Sequence, residues 1–192
     1  MHGEIPAGVE EDIIRGMYPL QSTTASGPRV QLLGSGSILN EAIAAAGRLA
    51  ADFQVAADLW SVTSFTELAR EGQHVRRWNL LHPEAAAREG HVERCLKGRD
   101  GPVIAATDYM RVYAEQIRPF VPQAHYHVLG PDGFGRSDTR QKLRHHFEVD
   151  RYYIVVAALE SLAREGKVER STVTAAMRKY DINPDKANPA YC

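Results

Sequence analysis

Apolar positions along the chain alternate between two rhythms, short continuous runs and longer stretches with apolar residues three and four apart. Arg29–Leu33 is a short run ended by Gly34. From Ser35 the period changes: Ile38, Leu39, Ala42, Ile43, Ala46, Leu49, Ala50 and Phe53 mark the buried face of an amphipathic helix. Ala57–Val62 reads as a second strand. Ser64 and Glu67 then form a capping box that opens a helix running through Leu68, Val75 and Trp78 to Leu81, with Gly72 weakening its middle. Pro83 suits the first turn of a further helix, Pro83–Lys97, which Gly98 to Gly101 ends.

Pro102–Ala106 is a third strand, and Asp108 is placed to cap a helix that Pro119 must close. His125–Leu129 is the fourth strand. Asp138 and Gln141 give an acid-x-x-Gln start to a short helix reaching His146. Asp150 caps the next, Arg151–Glu165, which Gly166 stops. Its segment Tyr153–Val156 has strand propensity, but the length of the periodic stretch favours a helix. Ser171–Tyr180 is the last helix. Residues 1–28, with Pro6, Gly8, Gly16, Pro19, Gly27 and Pro28, read as a linker or docking arm carrying a short helix around Val9–Met17. Strands separated by helices imply parallel pairing, so residues 29–192 are expected to form an α/β domain. Its architecture is a three-layer sandwich.

Charge narrows the functional classes. The 23 Lys and Arg nearly cancel the 24 Asp and Glu, leaving a formal charge of -1 and a pI near 6.7. Nucleic-acid binding through the phosphate backbone needs a positive surplus and is not expected. No apolar run approaches the ~20 residues of a membrane span, and Met1 to Asp12 does not resemble a secretion signal. Cys95 and Cys192 make no disulfide framework and no Cys-x-x-Cys pair, which fits a reducing cytoplasm.

Several motifs invite chemistry. Gly34-Ser35-Gly36-Ser37 joins a strand to a helix and offers backbone amides to an anion; alternatively the glycines only turn the chain while Ser35 or Ser37 caps the helix. A dinucleotide fingerprint fails there, because Leu39 stands where a small residue is needed and no acid ends the next strand. A nucleotide-dependent oxidoreductase would therefore rest on fold analogy alone. No phosphate-binding Gly-x-x-x-x-Gly-Lys loop and no Gly-x-Ser-x-Gly elbow is present. His145, His146, Glu148 and Asp150 suggest a metal cluster, but adjacent histidines on a helix point about 100° apart, so capping or structural roles are the rival reading. His125 and His127 share a strand face that either lines a cleft or meets solvent. The loop Gly130–Asp138 leaves the carboxyl end of a strand, where open parallel sheets place ligands, and carries Asp132, Arg136, Ser137 and Asp138. It is the leading candidate site for a small anion or a partner, against the alternative of a rigid turn closed by its own ion pairs.

The blocks Leu32–Ser37, Ser61–Arg70, Arg77–Pro83, Thr107–Met110, Asp132–Asp138 and Leu143–Asp150 occur in an order that resembles the C-terminal region of the homodimeric bacterial pyruvate dehydrogenase family. That resemblance spans Ile5 to Asn188. It implies a transketolase C-terminal fold with about five strands, one of them antiparallel, at the end of a longer polypeptide. In that family thiamine diphosphate and magnesium bind upstream domains at the dimer interface. The diphosphate motif Gly-Asp-Gly has only Pro131-Asp132-Gly133 as an approach here, with no asparagine at the required distance beyond it. The resemblance thus implies no catalytic, cofactor or metal residue in this chain. The implied partners are the upstream domains, a second copy, and the dihydrolipoyl acyltransferase core. A small-anion-sensing role at the dimer interface is the alternative.

Overall fold

The computed structural model describes residues 6–191. Five strands form one sheet: β1 (Met17–Ser22), β2 (Arg29–Ser35), β3 (Ala56–Val62), β4 (Val103–Ala106) and β5 (Tyr126–Leu129), in the order β1-β3-β2-β4-β5. β2 to β5 pair in parallel and β1 runs antiparallel to β3. Successive strand residues face opposite sides, so both faces of the central strands must be covered. Val30, Leu32, Ala57, Leu59 and Ile104 pack under α2 (Leu39–Phe53), α7 (Arg151–Arg164) and α8 (Arg170–Lys179). Leu33, Trp60, Val62, Val103 and Ala105 face the opposite core, with Leu68, Leu96 and Ala114 from α3 (Phe65–Leu81), α4 (His91–Leu96) and α5 (Arg111–Glu115). The three-layer α/β architecture and the single antiparallel strand are as expected.

The largest departure lies in residues 1–28. Glu10–Arg15 is a helix (α1), and β1 is a full member of the sheet, with Met17 opposite Val62 and completely buried. The arm reading is therefore corrected for residues 10–22. Pro19 obscured the strand, since proline is tolerated at a sheet edge, and here it borders a register shift between Pro19 and Gln21. Residues 1–5, which the arm also included, lie outside the described residues.

The helix expected over Pro83–Lys97 shrinks to His91–Leu96. Residues 83–88 are all exposed, so no apolar stripe rewards helix formation, and tertiary contacts shape the segment instead. Asn79 donates to Arg88 O at 3.0 Å and accepts from Arg88 N at 2.8 Å, while the Arg88 guanidinium lies 3.7 Å over the Trp78 ring. Half of the capping box forms: Ser64 Oγ accepts from Glu67 N, but Ser64 N donates to Gly16 O and the Glu67 carboxylate turns to Arg70. Asp150 caps α7 as expected, accepting from Tyr152 N and Tyr153 N. The start of α6 (Arg140–His146) shifts by one residue, with Thr139 rather than Asp138 accepting from the first turn.

A buried polar network fastens the amino end of the sheet. Asp58 accepts from Arg29 at 2.6 Å, Ser22 at 2.7 Å and Gln31 at 3.0 Å, and Gln31 Oε1 accepts from the Trp60 indole at 2.9 Å. Burial opposes ionisation of Asp58, yet the hydrogen bonds from Gln31 and Ser22 and the Arg29 charge hold its pKa below the usual value. The opposite, carboxyl end is where the ligand-type loops converge.

Candidate functional site

The register brings Met17, Ser35, Val62, Ala106 and Leu129 to one edge. The loops leaving that edge carry most of the sequence-selected residues. At the glycine turn, Gly36 adopts φ +55° and opens a 3-10 turn, Gly36–Ile38, ahead of α2. The Ser37 amide donates to Asp108 Oδ2 at 3.1 Å. The anion on this turn is thus the protein's own carboxylate, from the loop after β4. Asp108 was expected to cap the following helix; it crosses to β2's loop instead, because the turn amides lie within its reach. Neither Ser35 nor Ser37 supplies a side-chain cap for the 3-10 turn or α2.

Asp132 is closed in the same way. Its carboxylate accepts from Arg111 N at 3.1 Å and Arg111 Nε at 2.6 Å, so the loop after β5 caps α5. Arg136 and Ser137 are exposed and form no hydrogen bond or ion pair among the described residues. Asp138 accepts from Thr139 N and lies 3.7 Å from Lys142. Of the loop's residues, Asp138 borders a small cleft together with Ser37, Asp108 and Arg140, while Asp132 is turned to Arg111.

A larger concave region forms around α6. A cleft of about 920 Å³ is bordered by Arg140, Lys142, His145, His146, Arg151 and Lys186, and Glu41 also lines it. Glu41 is only 4% exposed. Arg151 donates to it through Nε at 2.8 Å, Nη2 at 3.0 Å and its amide at 3.1 Å, and Arg144 donates at 2.8 Å. Burial alone would raise the Glu41 pKa; the hydrogen bonds and charge of Arg151, with Arg144, outweigh it and keep the pKa below the usual carboxylate value. Arg144 also reaches Ser37 O and Oγ, tying α6 to the glycine turn. Sequence reasoning missed Glu41, although an acid three residues after Ile38 and four before Ala45 interrupts the apolar stripe of α2 and was the available signal.

The two histidines diverge. His145 Nδ1 is 2.9 Å from Asp150 Oδ2, which holds α6 against the start of α7. His146 packs edge-on to Phe147, and its Nε2 is buried without a partner among the described residues. Burial, then the charges of Lys186 and Arg136, hold the His146 pKa below the usual histidine value. Lys186 donates to the carbonyls of His145 and His146 and to Glu148, closing the carboxyl end of α6. Among the described residues no three His, Cys, Asp or Glu side chains are grouped to hold a metal ion. His127 is exposed on edge strand β5.

The carboxylates that could receive a metal-bridged diphosphate already accept from cations and amides, and the turn that could cradle a phosphate holds Asp108. Among the described residues, those at this edge do not fit thiamine diphosphate and magnesium. No helix of the described residues is long and apolar enough to cross a membrane.

Comparison with known proteins places this geometry. The chain is 59% identical over 190 residues to the pyruvate dehydrogenase E1 component of Cupriavidus necator, covering 98% of this chain and 21% of that protein. It is 56% identical to the same component of Pseudomonas aeruginosa and 51% identical to that of Escherichia coli K12, again covering 21% of each. The chain thus spans about a fifth of these relatives and corresponds to their C-terminal part. In fold it is similar to transketolase from Leishmania mexicana, with a TM-score of 0.52 at 19% identity over 86% of this chain and 22% of that one. A transketolase mutant from Pichia stipitis gives 0.52 at 18% identity, over 82% and 19%. The family model described as the transketolase-like TK C-terminal domain matches residues 16–150, beginning where α1 ends and taking in β1, and the chain belongs to that family.

Proposed function

We propose that this chain is the carboxyl-terminal domain of a pyruvate dehydrogenase that works in the cytoplasm, and that it contributes assembly rather than catalysis. The observation that carries the reading is the internal pairing of its edge: Asp108 with the Ser37 amide, Asp132 with Arg111, and Glu41 with Arg144 and Arg151. A catalytic acid, base or metal ligand needs a group free to meet substrate; here the charged groups brace loops and helix ends. Decarboxylation of pyruvate on thiamine diphosphate, and transfer of the two-carbon unit to a lipoyl group, then belong to upstream domains, with the cofactor supplying the electron sink. The partners are those upstream domains, a second copy, and the acyltransferase core. Calorimetric titration of the 192-residue chain with thiamine diphosphate and magnesium is expected to give no binding heat; micromolar binding overturns the reading.

One observation favours a second role, small-anion sensing. The cleft beside α6 has a cationic rim and a buried, unpartnered His146 Nε2. Under that reading, titration with inorganic phosphate shifts the His146 ring resonances, and Arg140→Ala weakens the response.

A further inference from the structure

The large apolar side chains left exposed are unevenly distributed. Tyr109, Met110 and Val112 are 65%, 52% and 54% exposed on the loop after β4 and on α5, and Phe134 is 80% exposed on the loop after β5. The two loops touch. Arg111 joins them through Asp132 at 2.6 Å, and a Cβ at Gly130 would lie 2.7 Å from Tyr109 O. Along the same edge, exposed Ile14 lies on α1, whose end is fixed to the loop after β3 by Thr63 Oγ1 donating to Ile13 O at 2.7 Å. Exposed apolar side chains brought together on two touching loops, as Tyr109, Met110, Val112 and Phe134 are, mark an interface.

The path of the chain identifies the occupant. Met17 pairs with Val62 at the carboxyl end of β3, so whatever precedes α1 is delivered to this edge. The strand order puts β1 three spacings, about 14 Å, from β4. The relatives extend over nearly five times this chain's length. A polypeptide tethered at this edge meets the patch at an effective concentration that a free partner does not reach. Resting on the reading above, we infer that the carboxyl edge, centred on Tyr109, Met110, Val112 and Phe134, is the seat of the preceding part of the same polypeptide.

The test uses the full-length enzyme carrying Tyr109→Ser, Met110→Ser and Val112→Ser together. Leu80→Ser is the control: Leu80 is 78% exposed, but it lies at the far end of α3, about 22 Å along that helix from the edge. Limited proteolysis of the triple variant should release the 21.3 kDa carboxyl-terminal fragment at least tenfold faster than wild type, with Leu80→Ser unchanged. Both cores close within this chain, so the triple variant of the 192-residue chain should melt within about 2 °C of its parent. Unchanged release from an active triple variant overturns the docking surface and leaves the proposed function standing. A full-length protein that fails to decarboxylate pyruvate overturns the proposed function, while the release rates still decide the docking surface. If the 192-residue chain alone dimerises and the triple substitution separates it, the occupant is a second copy and the assignment is overturned.

Discussion

Glu41 holds three elements together, since its carboxylate on α2 receives Arg144 from α6 and Arg151 from α7. Removing one partner of a buried ion cluster leaves the others uncompensated, so Glu41→Ala should cost about 3 kcal/mol. Because the native pKa is depressed, the stabilisation is complete above about pH 4.5, the unperturbed value, and disappears as pH falls through the native value. The stability gap between wild type and Glu41→Ala, measured by urea unfolding, should therefore narrow on acidification below about pH 4.5; a gap independent of pH would contradict the ion cluster. At Gly36, φ is +55° and an added Cβ would sit 2.6 Å from Asp108 Oδ1. Gly36→Ala should destabilise by about 1–2 kcal/mol and displace Asp108 from the turn. Cys95 makes the opposite point about reactivity. Burial, with the nearby Asp12 charge, pushes its thiol up to about 11, so its peptide should remain unalkylated by iodoacetamide at pH 7.5 in the native chain. Rapid labelling there would show that the site is open.

At the scale of elements, the interior was legible in the sequence and the edges were not. Strands β2, β3 and β4, with α2, α3 and α7, follow from apolar period and caps, because both faces of each central strand are buried and the pattern has no freedom, while edge strand β5 follows from its short apolar run. Tyr153–Val156 stayed helical because Asp150 caps the helix and Ile154 and Val155 point into the core. β1 escaped because an edge strand tolerates Pro19 and needs apolar side chains only where it meets the core. Its importance is measurable: Met17 is fully buried, so Met17→Ala should cost about 2–5 kcal/mol, whereas a residue on a free arm would show no effect. Gly72 weakens α3 by propensity alone, but the Phe120 ring would lie 2.7 Å from an added Cβ, so the residue makes room for that ring. Gly72→Ala should lower stability by about 1–2 kcal/mol despite the better helix propensity of alanine. The candidate residues Ser35–Ser37 and Asp132–Asp138 lie on loops at the carboxyl edge of the sheet, where the order of strands and helices in the sequence puts them. The sequence could not show that Asp108, Asp132 and Glu41 meet partners up to 110 positions away.

For the molecule as a whole, a transketolase-like C-terminal fold has its loops braced by their own ion pairs and exposes Tyr109, Met110, Val112 and Phe134 on two touching loops at the carboxyl edge of the sheet. That combination suits a domain that receives another part of the protein better than one that turns over a substrate. On the proposed reading, chemistry on pyruvate is the cofactor's, while Asp108, Asp132 and Glu41 at the carboxyl edge are already paired with groups of this chain. The most direct test is the release of carbon dioxide from pyruvate by the 192-residue chain supplied with thiamine diphosphate, magnesium and an artificial electron acceptor, beside the full-length enzyme at equal molarity. The account predicts a rate from the chain indistinguishable from the protein-free blank and robust turnover by the full-length enzyme; steady decarboxylation by the chain alone would contradict it.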